Sequence, residues 1–414
     1  MHRHRLALGL FIASMLLTGP SIFAQTPEEP VPIEPLVESP PPVPTSPREE
    51  PLLLDDPVIE RDDAAVSLSE RREAVKTAPD NPDERIRLAE ALHRIGDLDA
   101  AVEECRTAIQ LQPDNANAHL QLGVMLMAKQ DWRGASSVLK EAVRLNAELT
   151  PAYYSLASVL YTTGNVRAAI QTYRQALELR PNFPDARYRL ALLLKLTDQR
   201  QEAAQLMEEA ALGGIPQAQF FVGNAYKAGQ GVEKDPALAI LWWSKASRLG
   251  HQAAGEALSK FRKQALSSEQ SERRRKEALD AFRTYRDKLW SEFPDYKPSG
   301  SDDSLGALMV AHDRIDHAVP TLLKETYALS ESAESQLAKF YESGWGDTLS
   351  PFERKILICL EKVAGDGFLP AKKSLARIYG KGIGMEPDLQ KAKAVLRGIP
   401  KPEAKAILDE FSTP

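Results

Sequence analysis

The chain has 414 residues, more than one compact core usually organises, and its 43% hydrophobic and 27% charged content suits a folded body in water. Its net charge of −6 is unevenly placed: residues 25–63 hold 11 Asp and Glu against Arg48 and Arg61, Arg3 and Arg5 precede them, and the rest is near neutral, at +1. Such a body lacks the positive field that gathers nucleic acid, so no nucleic-acid partner is expected.

At the N-terminus, Arg3 and Arg5 lead into a short apolar run from Leu6 to Leu17, followed by Gly19-Pro20 and the small residue Ala24. This is the layout of a secretory signal peptide over residues 1–24, which predicts a mature chain that begins near Gln25 and is periplasmic or secreted. The run falls short of the roughly 20 apolar residues that span a bilayer, so no transmembrane span is expected in the mature chain. Residues 25–63 carry 11 of the 29 prolines, Pro40-Pro41-Pro42 among them. Proline favours extended polyproline II and the acidic groups repel, so a disordered linker is predicted, with Leu52-Leu53-Leu54 its one apolar spot.

Beyond the linker the sequence repeats. Ala101, Ala135, Ala169 and Ala203 recur at a step of 34, as do Ala108, Ala142, Ala176 and Ala210, and Leu88, Leu122, Leu156 and Leu190. A small residue follows each of those leucines: Ala89, Gly123, Ala157, Ala191. Gly96 and Gly164 fall where two helices would turn, and Pro113 and Pro181 where the second would end. The pattern resembles the tetratricopeptide repeat, in four copies over residues 82–212. Small residues at fixed spacing let antiparallel helices cross closely, so each copy is expected to be a helix pair. Two departures stand out. Ala147 replaces the helix-ending proline, and Arg85, His119, Tyr153 and Arg187 occupy the family's early tryptophan position. Residues 64–81 hold half a copy, with Ala74 and Pro79 one step before Ala108 and Pro113, and predict a single capping helix.

The next segment, 213–254, carries Ala218, Val222, Gly223, Tyr226, Gly229, Gly231, Asp235, Ala239, Trp242, Ala246, Gly250 and Ala254. It resembles the Sel-like repeat, a relative with a longer, glycine-bearing turn. Two further Sel-like copies and a terminal cap are read over 333–414, from Ala333, Leu337, Ala338, Tyr341 and then Ala371, Leu375, Ala376, Tyr379, Gly382, Gly384, Asp388, Ala392. Between them, residues 255–332 match neither family and read as a helical insertion or degenerate repeats. One charged helix is predicted over 256–290, breakers over 291–304, and one or two helices over 305–332 interrupted at Pro320. The predicted fold class is therefore all-α: an α-solenoid of antiparallel helix pairs after a disordered N-terminal linker.

Chemistry is sparse. The nucleophile elbow, the zinc-protease helix and the phosphate-binding loop with its lysine are all missing. Gly380, Gly382 and Gly384 coincide with a Sel-like turn. His312 and His317, with Asp313 and Asp316 between them, are five apart, whereas metal-binding histidines on one helix face favour four. Glu272 and Glu277 flank the basic run Arg273–Lys276, which reads as a solvated helix face. Cys105 and Cys359 lie far apart among apolar residues and read as free core thiols. Trp242 and Trp243 cannot both point the same way on a helix: one is expected to fill the inter-helix core, and for the other the core is the favoured reading and an exposed position open to a partner the alternative. No catalytic residue, cofactor or metal is expected.

The tetratricopeptide resemblance implies a concave surface lined by the first helices. The lining positions hold Ile86, Leu120, Tyr154 and Tyr188, then Glu90, Val124, Ser158 and Leu192, then His93, Met127, Tyr161 and Lys195. A partner groove is predicted from Ile86, Leu120, Val124, Met127, Tyr154, Tyr161, Tyr188 and Leu192, with the three tyrosines as one aromatic patch. Such a groove suits a protein or peptide partner with an apolar, extended or helical segment; the chain's own Leu52–Leu54 or the insertion over 255–332 is the competing occupant. The resemblance implies a non-catalytic extracytoplasmic scaffold or adaptor, with cell-envelope or polymer-export assembly as its setting. The alternatives are a cell-wall or β-lactam hydrolase of Sel-like type and a purely structural spacer.

Overall fold

The computed structural model describes residues 61–297, 303–343 and 350–411. The signal peptide, the linker up to residue 60, Leu52–Leu54 included, and the turn of the second Sel-like copy around Gly344 and Gly346 lie outside them. Among the described residues all regular structure is helical. Helix α1 (Arg61–Thr77) occupies the place of the predicted cap, beginning inside the stretch read as linker. Four pairs follow: α2 (Pro82–Ile95) with α3 (Leu98–Leu111), α4 (Ala116–Ala128) with α5 (Trp132–Leu145), α6 (Thr150–Thr162) with α7 (Val166–Leu179), and α8 (Pro184–Leu196) with α9 (Arg200–Leu212). Helices α10 (Pro216–Ala228) and α11 (Pro236–Arg248) form the first Sel-like copy.

The 34-residue register holds in three dimensions. The alanines from Ala101 to Ala203 and from Ala108 to Ala210, the leucines from Leu88 to Leu190, and the small residues Ala89, Gly123, Ala157 and Ala191 are all buried. A further buried column faces the small residues at the same step: Cys105, Leu139, Tyr173 and Met207. The second pair shows why the facing residue must be small. A Cβ on Gly123 would stand 2.5 Å from Leu139 Cδ2, inside any tolerable contact. Burial pushes both free thiols up, Cys105 and Cys359 each to about 12, so each behaves as a small apolar residue.

Turns between paired helices need one left-handed residue. It recurs at the same step as Gly96, Gln130, Gly164 and Asp198, with φ of 88°, 61°, 83° and 61°. The Sel-like turn differs and is built the same way in its first and third copies. Gly229 and Gly231 are left-handed, as are Gly382 and Gly384. Asp235 N–H donates to the Tyr226 carbonyl at 3.0 Å, and Asp388 N–H to the Tyr379 carbonyl at 2.8 Å. Each aspartate then caps the next helix, Asp235 accepting from Ala237 and Leu238, Asp388 from Lys391.

Both tryptophans are buried, so the core takes both and the alternative of an exposed ring falls away. Consecutive residues on a helix point about 100° apart, and α11 has a neighbour on both sides. Trp242 packs with Ala211, Met207 and Val222 toward the preceding pair. Trp243 lies over Gly223, donates to Asn224 Oδ1 at 3.1 Å, and meets Phe261 edge-on at 6.2 Å.

The insertion continues the pairing. The single charged helix predicted over 256–290 is two helices, α12 (Gln252–Leu266) and α13 (Glu272–Ser291), broken at the polar Ser267–Ser271 stretch. Folding back brings Phe261 and Phe282 to 5.6 Å, burying apolar faces that a straight helix would leave apart. Further on, the break falls at Asp313, φ 56°, between α14 (Leu305–Ala311) and α15 (Ile315–Tyr327). Pro320 sits inside α15; the acceptor its missing N–H leaves free belongs to exposed Asp316, which water can reach. The buried Glu325 carboxylate accepts from the Leu305 and Gly306 N–H groups at 2.7 and 3.0 Å, tying α15 to the start of α14. Two more pairs, α16 (Glu331–Glu342) with α17 (Glu353–Gly365) and α18 (Leu369–Lys381) with α19 (Leu389–Val395), lead to the terminal α20 (Lys401–Asp409). One apolar core runs from Ala237 to Ala392 and joins the insertion to the last repeats.

Candidate partner-binding surface

Successive first helices pack side by side, α2 against α4 and α4 against α6. Residues at positions 5, 9 and 12 of each helix share one face, since three- and four-residue steps return to it. The structure divides the eight predicted groove residues between the core and the surface.

Ile86, Leu120, Val124 and Tyr154 are buried, correcting their assignment as groove lining. Ile86 packs with Ala108 and Ala118, and Leu120 and Val124 belong to the core of the first three pairs. Tyr154 is 3% exposed. Its ring meets Tyr173 edge-on at 5.7 Å and Phe183 at 5.1 Å, the latter in the turn before α8. Burial raises the Tyr154 phenol, with the positive charge of Arg189 pulling it the other way. Tyr173 is pushed up further by burial, and its hydroxyl pairs with Ser158 Oγ at 2.8 Å. The following repeat covers position 5, Ala118 over Ile86 and Phe183 over Tyr154, while Leu120 and Val124 are taken into the shared core.

Met127, Tyr188 and Leu192 are half-buried, and Tyr161 is 45% exposed. Position 12 is thus the open rim of the face, and it widens from Met127 through Tyr161 to exposed Lys195. Tyr188 and Leu192 pack at the edge of the core shared with the first Sel-like copy, where Arg189 lies 5.9 Å from the Tyr188 ring centre. Lys195 Nζ sits 4.7 Å over the Phe221 ring. The predicted patch of three tyrosines does not form as such. Tyr154 joins Tyr173 and Phe183 inside, while Tyr161 and Tyr188 stay on the rim with Lys195 and Phe221. Of the residues the sequence reading omitted, Tyr173 was findable from its step with Cys105, Leu139 and Met207. Phe183 and Phe221 also fall on the 34-residue step, after Asn115 and Leu149 and after Tyr153 and Arg187, but at positions whose residue type is not kept from copy to copy.

The rim offers aromatic and thioether surface beside a cation, which suits contact with another polypeptide. The chemistry-bearing groups elsewhere are held apart. Among the described residues no cluster of His, Cys, Asp or Glu could hold a metal ion. His312 packs edge-on to Tyr296 at 5.6 Å. Among the described residues no helix is long and apolar enough to cross a membrane.

Comparison with known proteins agrees with this register. A family model of the TPR repeat matches residues 89–130 and 158–197, and one of the Sel1 repeat matches 216–251 and 371–394. Among solved structures, the chain is similar to YrrB, described as a TPR protein with an unusual peptide-binding site, at 22% identity over 46% of this chain and 98% of that one, TM-score 0.35. It is similar to PilF of Pseudomonas aeruginosa at 21% identity over 48% and 91%, TM-score 0.41, and to MamA at 23% over 38% and 93%, TM-score 0.34. No curated protein matches it. The 34-residue register, the glycine-bearing turns and the matched segments make this a tetratricopeptide repeat protein with C-terminal Sel1 repeats.

Proposed function

We propose that the chain is a non-catalytic scaffold that captures a polypeptide on the rim of its first helices, outside the cytoplasm, in the assembly of a cell envelope or an export machine. The observation that carries the binding reading is Tyr161: a large aromatic left 45% exposed at a repeat position flanked by half-buried Met127, Tyr188 and Leu192. Tyrosine offers wide contact area with little side-chain entropy to lose, and its hydroxyl can reach a partner's backbone. The extracytoplasmic setting rests on the leader-like residues 1–24.

A photo-crosslinking residue at 161 in the full chain, expressed in its own host, is expected to trap one dominant partner. Tyr161→Ala with Tyr188→Ala should abolish that product and leave the circular dichroism spectrum unchanged. Crosslinks of equal yield from a control position on the second helices, such as Arg174, would sink the rim as the working surface. N-terminal sequencing of the partner-bound protein is expected to read from near Gln25; an intact Met1 would refute the export reading.

A further inference from the structure

A polar cleft lies away from the rim, along one face of α12. A cleft of about 940 Å³ runs beside this helix, walled at one side by Lys362 of α17 and at its end by Arg274 of α13. Its floor repeats at helical spacing: Gln252, Glu256, Ser259 and Lys260, Lys263, Ser267. Gly255 shapes the wall. A Cβ there would meet Ser247 Oγ at 3.2 Å and Lys362 Nζ at 3.4 Å, so the glycine lets the lysine come close.

The charge of the cleft is out of balance. Four cations line it, Lys260, Lys263, Arg274 and Lys362, against one carboxylate, Glu256, which already accepts from Gln252 at 2.8 Å. Lys260, Arg274 and Lys362 have no ion-pair partner among the described residues. The acid beneath the cleft is already committed: Asp366 is buried, bound by Arg262 Nε at 2.6 Å and by the Ser259 hydroxyl, and Lys263 stands 3.8 Å away. Beyond two glycines, the remaining lining is amide and hydroxyl together with His251, whose ring already packs on Phe220 at 4.8 Å and whose Nδ1 accepts from the Ala254 N–H, so the cleft has no apolar anchor and no open aromatic platform on which a sugar ring could stack.

We propose that this cleft binds an extended acidic peptide segment of a partner protein. From Gln252 to Ser267 the face measures about 22 Å at 1.5 Å per helical residue. That matches six or seven residues of extended chain at about 3.3 Å each. Ammonium and guanidinium groups take the carboxylates, and the glutamine and serine side chains can serve the peptide backbone. The site is independent of the rim, since no residue is shared.

The test is fluorescence anisotropy of a labelled heptaglutamate peptide titrated with the full-length protein. Saturable binding at low ionic strength that weakens as salt rises is expected. Lys260→Glu with Lys362→Glu should weaken it by about tenfold or more, whereas Tyr161→Ala with Tyr188→Ala should leave it unchanged. Both lysine positions are surface ones, and an unaltered thermal melt will show that the fold persists. Absence of saturable binding at low salt overturns the proposal, as does equal affinity in the lysine variant. A heptameric polyuronate that binds as tightly and with the same lysine dependence would assign the cleft to an acidic carbohydrate and overturn it as a peptide site.

Discussion

Tyr154 and Tyr161 sit seven residues apart on one face of α6, and chemistry alone would give them one role. Packing separates them. Tyr154 is closed over by Phe183 and pinned beside Tyr173, while Tyr161, one repeat position from the helix end, meets no such cover. Tyr154→Ala should therefore cost about 3–5 kcal/mol of stability through the cavity it leaves, and Tyr161→Ala about 0.5 kcal/mol or less. Urea midpoints of the two full-length variants will decide it; equal losses would place Tyr161 in the core and remove it from any binding surface. The repeat period brought these positions to one face of successive first helices. It could not say which of them the next repeat covers, because the cover over Tyr154 is Phe183, at a helix-capping position where the earlier copies hold Asn81, Asn115 and Leu149 and residue type is not kept. Half of the predicted groove was lost for that reason.

At the scale of the helix and its turn, the sequence speaks through backbone geometry rather than residue identity. Gly96 and Gly164 announce their turns because glycine enters the left-handed region freely. Gln130 and Asp198 occupy the same turn in the alternate repeats and give no such sign. A β-carbon in that region costs about 1–2 kcal/mol, eased for aspartate by its short polar side chain. Gln130→Gly should then raise stability by about 0.5–1 kcal/mol, the relief of strain offset in part by the added freedom of the unfolded chain. Gly164→Gln should lower it by a similar amount. A differential melt of both variants checks the pair, and a stability loss on Gln130→Gly would show that the turn is not strained. The same logic explains the misread insertion. Residues 267–277 are all polar or charged, as a solvated helix face also is, so no glycine or proline marked a break, but the two apolar faces could be buried together only by folding the helix in half.

A repeat array is close to one-dimensional, each unit touching its neighbours and little else. Among the described residues, this molecule departs from that rule where Arg262 meets Asp366. Arg262 of α12, 1% exposed, binds Asp366 at the end of α17, a residue 104 positions further on, and lies 5.7 Å from the Tyr327 ring of α15. The contact draws the insertion against the terminal repeats, so the C-terminal half should unfold as one cooperative block rather than helix pair by helix pair. No periodic signal could have paired these two residues, since each helix pattern tells which face is buried and not what buries it. A desolvated ion pair is unforgiving of half-measures: Asp366→Leu leaves the guanidinium buried without its counter-charge, at a cost of about 3–5 kcal/mol. Arg262→Met together with Asp366→Leu removes both charges and should recover most of that loss. Hydrogen exchange on the full chain distinguishes a cooperative block from independent repeats. In the single variant, amides of α12 and of α17 and α18 should lose protection together, while those of α4 to α7 keep theirs. Loss confined to the mutated helix would mean that the terminal repeats stand alone and that the ion pair merely decorates their contact.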